Sequence, residues 1–235
     1  MIRIKICGLT RPDDVAALNR AGGDQADLVL AGFVFAPGSR RLVTADQAHD
    51  LRRRLDRRIT AVGVFRDAPV ELVAELVEAG TIDWAQLHGA EPADYIRRLK
   101  ALVDVPVVKA VAVAGPADLA VPETADPDRP TDPGHPADYL LFDHPGGGSG
   151  HSFDLAWIDQ ARAAGRLPAK PFFIAGGLRE DNLARALARH PYGVDLSSGA
   201  ETNGRKDPDK ISRLVRAVAR FDARPRPPAP SRIVT

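Results

Sequence analysis

The sequence predicts a single closed (β/α)8 barrel, and three observations carry that prediction. Eight short apolar segments rich in β-branched residues recur about 22 to 32 residues apart, the length of one βα unit. Patterns with helical spacing lie between them. No segment reads as the short polar edge strand that an open sheet would need at its margins. The barrel is expected to occupy residues 1–221, followed by a flexible Pro/Arg-rich tail over 222–235.

Ile2–Cys7 alternates with period two and is followed by "GLTRPDD", a turn and helix start. Asp13–Ala21 reads as a short helix ended by Gly22 and Gly23. Leu28–Phe35 is a second strand leading into "APGSRR", and Thr44 caps a helix through "ADQAHDLRRRLD". Ile59–Phe65 is the third strand. Pro69–Gly80 follows as a helix with Pro in its first turn. Val70, Val73, Leu76 and Val77 form its apolar stripe. "WAQLH", "PVVKAVAV", "YLLFD", "PFFIAG" and "GVDLSS" are strands four to eight. Helices are expected at "EPADYIRRLKAL", "DLAWIDQARAA", "EDNLARALARH" and "DPDKISRLVRAVARF". The fifth connection breaks the rhythm. Pro116–Pro136 holds six prolines and five acidic residues, so beyond a single turn near Asp118 it should be irregular. The tail, "DARPRPPAPSRIVT", has four prolines and little to bury.

Composition removes several function classes. The 235 residues are 44% apolar and 27% charged, with 32 basic and 31 acidic side chains. The net charge of +1 gives no global electrostatic case for nucleic acid or an acidic membrane surface. One cysteine rules out an internal disulfide scaffold and a Cys-rich zinc site. No uncharged apolar run approaches the ~20 residues that cross a bilayer, and no signal-peptide pattern is present. A soluble cytoplasmic protein is the expectation. Neither Gly-x-x-x-x-Gly-Lys-Ser/Thr nor an opening Gly-x-Gly-x-x-Gly occurs, which weakens any nucleotide reading.

Chemistry collects at strand C-terminal ends, where barrels of this class build active sites. Cys7 shares a face with Lys5 and Arg3. It is either a small buried hydrophobe or, at the rim before Gly8, a base. Asp143 ends the sixth strand as a turn-capping residue or an acid–base group facing the mouth. Strands one and six are separated by seven and eight, so the two could approach a small sugar from different sides. Arg41 in "GSRR" is either solvated or a fork for a carboxylate, with Arg40 its rival. His88 is a half-buried histidine or a pocket residue. Asp195 needs a partner, which is either Lys5 or the substrate. "GGGSG" (146–150), "AGG" (175–177) and "SSG" (197–199) expose backbone N–H groups near strands seven and eight, where such barrels bind phosphate.

Taken together, "KICGLT", "GFVFAPGSRR", "QLHG", "LLFD", "GGGSGHSFD", "FFIAGGL", "GVDLSSGAE" and "GRKDPDKI" resemble the phosphoribosylanthranilate isomerase family. The resemblance runs in order from Lys5 to about Phe221. It implies a single (β/α)8 barrel and an Amadori rearrangement in tryptophan biosynthesis, with no metal or organic cofactor. It also implies Cys7 as general base and Asp143 as general acid. Arg41 would lie near the anthranilate carboxylate, with His88 and Asp195 in the pocket. Gly147, Gly148, Ser149, Gly150, Gly176, Gly177, Ser197, Ser198 and Gly199 would surround the phosphate. The partner implied is a small phosphoribosyl substrate carrying an anthranilate group, handled by a monomer or weak homodimer. The chain departs from the family pattern at several points. Ser39-Arg40-Arg41 replaces Ser-Pro-Arg, Ser149 replaces a threonine, Leu155-Ala156 separates Asp154 from Trp157, and Ala200 replaces a bulkier residue. The alternatives are another phosphosugar isomerase on a related barrel, or a non-catalytic binding barrel.

Overall fold

The computed structural model describes residues 1–145 and 152–222. Eight parallel strands close on themselves in sequence order, with β1 (Arg3–Cys7) pairing both β2 (Val29–Val34) and β8 (Gly193–Leu196). Between these lie β3 (Thr60–Phe65), β4 (Trp84–Leu87), β5 (Val107–Ala112), β6 (Tyr139–Asp143) and β7 (Phe172–Ile174). The helices are α1 (Pro12–Gly22), α2 (Ala45–Arg54), α3 (Val70–Glu78), α4 (Ala93–Leu102), α5 (Ala156–Ala163), α6 (Leu183–Leu187) and α7 (Pro208–Asp222). A small antiparallel hairpin, β9 (Glu201–Thr202) and β10 (Arg205–Lys206), sits between β8 and α7.

Alternation along each strand sorts side chains into two layers. Ile4 and Ile6 of β1, Phe33 of β2 and Phe142 of β6 pack outward into the large core beneath the helices. Leu30, Val62, Val108, Leu141 and Phe173 point inward as a second, smaller core. Gly193 makes room for that layer, because a Cβ there would fall 2.4 Å from the Phe173 ring.

The N-terminal end of the barrel is plugged by aromatic rings. Trp84 stacks on Tyr139 with centroids 4.6 Å apart, Tyr139 meets Tyr192 at 4.8 Å, and Arg3 lies over the Tyr192 ring at 4.9 Å. Each of these residues stands at or just before the start of its strand. A ligand therefore has the opposite mouth for entry.

Local signals account for most boundaries. Thr44 caps α2 in a reciprocal box with Gln47, at 3.2 Å and 2.9 Å. Pro69, expected inside the first turn of α3, stands at its N-cap instead, with extended backbone. The start of α5 is displaced to Ala156, whose N–H is taken by Asp154 Oδ1 at 2.9 Å. The strands expected from Leu28, Ile59 and Pro106 begin one residue later, and the helix expected over 180–190 shrinks to five residues.

No α-helix joins β5 to β6 among the described residues; the connection has only a 3-10 turn at Pro116–Leu119. The remainder is tied down by side chains rather than by helix. Thr131 Oγ1 donates to the Ala120 carbonyl at 2.9 Å, and Arg129 reaches the Ala117 carbonyl. Leu119, Thr131 and Asp132 are buried, so the segment covers the barrel wall where a fifth helix would lie. At the other end α7 reaches Asp222, one residue past the expected barrel boundary. The tail from 223 onward lies outside the described residues.

Candidate active site

A cavity of about 500 Å³ opens at the C-terminal mouth, lined from β1, β6 and β8 and from the loops after β2 and β7. Cys7, Arg41, His88, Asp143 and Asp195 all line it. Seven of the eight strands thus bring polar groups or a glycine turn to the same space.

Cys7 is the last residue of β1, and Gly8 turns the chain sharply with a φ of +80°. Its thiol is half-buried beside Gly32. A Cβ at Gly32 would fall 2.9 Å from the Cys7 Cα and 3.1 Å from Sγ, so the bare glycine creates the space this side chain occupies. Burial pushes the thiol above its ordinary pKa, Lys5 pulls it down, and Asp195 adds to the rise. Lys5 faces inward two residues earlier and donates to Asp195 Oδ2 at 2.9 Å. Burial works against the Lys5 charge, but attraction to Asp195 and then Cys7 outweighs it and raises the Lys5 pKa. Asp195 Oδ1 is buried without a hydrogen-bonding partner among the described residues.

Asp143 ends β6 across the mouth, with β7 and β8 lying between it and β1. One carboxylate oxygen accepts the His144 N–H at 2.7 Å, and the other lies 3.5 Å from His88 Nε2. His88 Nδ1 is 3.1 Å from the Gln86 amide nitrogen, which anchors the ring from behind. Gln86 is buried and its Oε1 has no partner among the described residues.

The glycine turns after β7 and β8 differ in what they do. Gly176 and Gly177 adopt φ values of +81° and +56°, which bare backbone tolerates and most side chains do not. Both line the cavity, as do Ser197 and Ser198. The Ser197 hydroxyl donates to the Cys7 carbonyl at 3.1 Å, so it also braces β1. Gly199 does not line the cavity; a Cβ there would fall 1.9 Å from the Leu178 carbonyl oxygen. It lets the β8 turn pack against the β7 loop. Gly147, Gly148, Ser149 and Gly150 lie outside the described residues.

Sequence left Arg40 and Arg41 as rivals, and the structure separates them. Arg41 is 12% exposed and lies against Gly8, whereas Arg40 is 54% exposed. Both bind Glu201, a residue that sequence reading passed over, as it did Lys206 beside it. Burial raises the Glu201 carboxyl, but bonds from Arg41 and Lys206 prevail and bring it down to about 2. Gln86 and Arg66, which also line the cavity, were likewise not singled out. The "SSGAE" and "GRKDPDKI" motifs contain Glu201 and Lys206, but nothing local reveals that they meet. Among the described residues no group of three His, Cys, Asp or Glu side chains is placed to hold a metal ion.

Residues 4–217 match the family model described as N-(5'phosphoribosyl)anthranilate (PRA) isomerase. The chain belongs to this family. A phosphoribosylanthranilate isomerase of Endomicrobium trichonymphae is 42% identical over 223 residues, covering 93% of this chain and 98% of the relative. The crystal structure of the Thermus thermophilus isomerase superposes with a TM-score of 0.76 at 36% identity, covering 94% of this chain and all of that one. A second isomerase structure, in complex with reduced 1-(o-carboxyphenylamino)-1-deoxyribulose 5-phosphate, gives a TM-score of 0.73 at 27% identity. It covers 93% of this chain and 99% of that one. These likenesses span the barrel, and the isomerase fold expected from sequence is the fold observed.

Proposed function

We propose that the protein isomerises N-(5-phosphoribosyl)anthranilate to 1-(2-carboxyphenylamino)-1-deoxyribulose 5-phosphate, the Amadori step of tryptophan biosynthesis. The observation that carries this reading is one cavity with a thiol and a carboxyl delivered to it from well-separated strands. Asp143 gives a proton to the furanose ring oxygen as the C1–O bond breaks, leaving an open-chain iminium. Cys7, as thiolate, removes the C2 proton, and the resulting enolamine tautomerises to the ketone with C1 reprotonated. No atoms are gained or lost. The acid and the base must act on opposite sides of the sugar, and β1 and β6 supply that separation.

The binding roles follow from chemistry. The turn at Gly176–Gly177, with Ser197 and Ser198, offers backbone N–H groups and hydroxyls to the 5-phosphate, and Gly199 supports that turn. Gly147, Gly148, Ser149 and Gly150 are assigned to the same anion by the family pattern. Arg41 binds the anthranilate carboxylate, while His88 and Asp195 contact the sugar. The reading needs no cofactor or metal. No helix of the described residues is long and apolar enough to cross a membrane, and we place the reaction in the cytoplasm. A monomer or weak homodimer suffices, because every proposed catalytic and binding group comes from one chain. The barrel over 1–221 is the catalytic unit and the tail is dispensable to it.

The test is to generate phosphoribosylanthranilate freshly and follow its loss by fluorescence. Turnover by the wild-type chain that disappears in Cys7→Ala and Asp143→Ala supports the assignment. Full activity in either variant would overturn that residue's role.

A further inference from the structure

Glu201 opens the β9–β10 hairpin, and its buried carboxylate meets three cations at once. Arg41 Nε reaches Oε1 at 2.7 Å and Arg41 Nη2 reaches Oε2 at 3.1 Å. Arg40 Nη2 donates to Oε2 at 2.6 Å, and Lys206 Nζ donates to Oε1 at 2.7 Å. Lys206 is itself buried and also donates to the Ser197 carbonyl at 3.1 Å. Three positive charges around one negative leave the cluster cationic, so Glu201 does not present an approaching anion with net repulsion.

A guanidinium has two edges able to grip a carboxylate in parallel. Glu201 occupies the Nε–Nη2 edge of Arg41. Nη1 has no hydrogen-bonding partner among the described residues, and the side chain lines the cavity. The stem is fixed as well, because Gly8 has no Cβ to displace it; such an atom would fall 2.1 Å from Arg41 Cδ. Arg41 is thus held at its stem and along one edge, packed against Gly8, the residue that follows the proposed base Cys7. Arg40 plays a different part. It ties the loop after β2 to the hairpin through Glu201 and reaches towards the Gly204 carbonyl at 3.5 Å.

We propose that Glu201 is a positioning residue that fixes Arg41 so that its free edge receives the carboxylate on the substrate's aromatic ring. The proposal rests on the phosphoribosylanthranilate reading above. It separates a specificity device from the acid–base machinery: Glu201 governs how well the aromatic acid is held, not how fast protons move. Rotational freedom removed in advance is not lost on binding, which is the general advantage of a preorganised anchor.

The test uses the full chain, with Glu201→Gln and Glu201→Asp, and two substrates. One is N-(5-phosphoribosyl)anthranilate; the other is N-(5-phosphoribosyl)aniline, which lacks the carboxylate. For the first, KM should rise about tenfold or more, the scale of one charge-assisted hydrogen bond, with kcat within about twofold. For the second, KM should match that of wild type. In an Arg41→Ala background, Glu201→Gln should add no further loss. Equal losses on both substrates, or a full additional loss without Arg41, would overturn the proposal. Glu201→Asp keeps the charge but shortens the reach, and it must show the same split if Glu201→Gln fails to fold. Failure of both variants to fold would make Glu201 a stability residue and overturn the proposal too. A wild-type chain inactive on phosphoribosylanthranilate would instead defeat the functional reading beneath it.

Discussion

Lys5 Nζ lies 2.9 Å from Asp195 Oδ2 inside the barrel, where β1 and β8 place the two residues in matched register. Both are nearly inaccessible, at 2% and 9%. Two charges taken out of water hold each other there, and breaking one strands the other. Lys5→Met should therefore destabilise the protein by about 3–5 kcal/mol, and Lys5→Met with Asp195→Leu should recover much of that loss. Urea midpoints for the single and double variants measure this. Folding raises the Lys5 pKa, so its contribution is complete at neutral pH and fades only as pH climbs through the folded value. An additive double variant would show that the pair is not coupled.

The same lysine bears on Cys7, the proposed base. Burial raises the Cys7 pKa, and Lys5 is the largest influence in the opposite direction. In the proposed mechanism the thiolate is the active form, so kcat/KM should rise with pH through and beyond the ordinary thiol value of about 8.5. Because the chain has one cysteine, the pH dependence of iodoacetamide alkylation reports the same group directly. The two profiles should share a limb, and Cys7→Ala should lower kcat/KM by at least about 10²-fold. An alkylation limb well below pH 8 would contradict the raised pKa.

The turn proposed to hold the phosphate yields a third expectation. If backbone N–H groups and the shape of the turn carry the binding, as proposed, Ser197→Ala should weaken substrate binding less than Gly177→Val. Gly177 holds a φ of +56°, which a β-branched residue resists. Inorganic sulfate or phosphate should compete with substrate in the wild type, and Gly177→Val should abolish that competition. Sulfate that inhibits both proteins equally would remove the anion from this turn.

The barrel was legible because each strand is its own local signal: a β-branched run with a polar or glycine residue at one end. Lys5 with Asp195 was also within reach, since alternation alone puts both inside and each needs an opposite charge. Arg41 with Glu201 was not. The partners lie 160 positions apart, both are of ordinarily exposed type, and the hairpin that presents Glu201 is only two residues per strand. Adjacent arginines cannot be ranked from sequence either, because burial of one depends on Gly8 in a different loop. Prolines forecast the missing fifth helix, but hydrogen bonds from Thr131 and Arg129 decide that the segment packs.

Asp143 provides the most discriminating test of the chemistry, because two histidines stand beside it. His88 Nε2 is 3.5 Å from one carboxylate oxygen, and the other accepts the His144 backbone N–H. Asp143→Asn keeps the shape and can still donate a hydrogen bond, but it cannot deliver a proton to the ring oxygen. In the proposed mechanism that proton matters as the C1–O bond breaks, so kcat and kcat/KM should fall together by about 10²–10⁴-fold while KM changes little. His88→Ala removes a neighbour and the proposed sugar contact rather than the proposed donor, and His144→Ala leaves the backbone bond in place. Both should retain a kcat far above that of Asp143→Asn. Should His88→Ala or His144→Ala instead lose turnover severely while Asp143→Asn stays near normal, the histidine is the acid and Asp143 serves only to orient it.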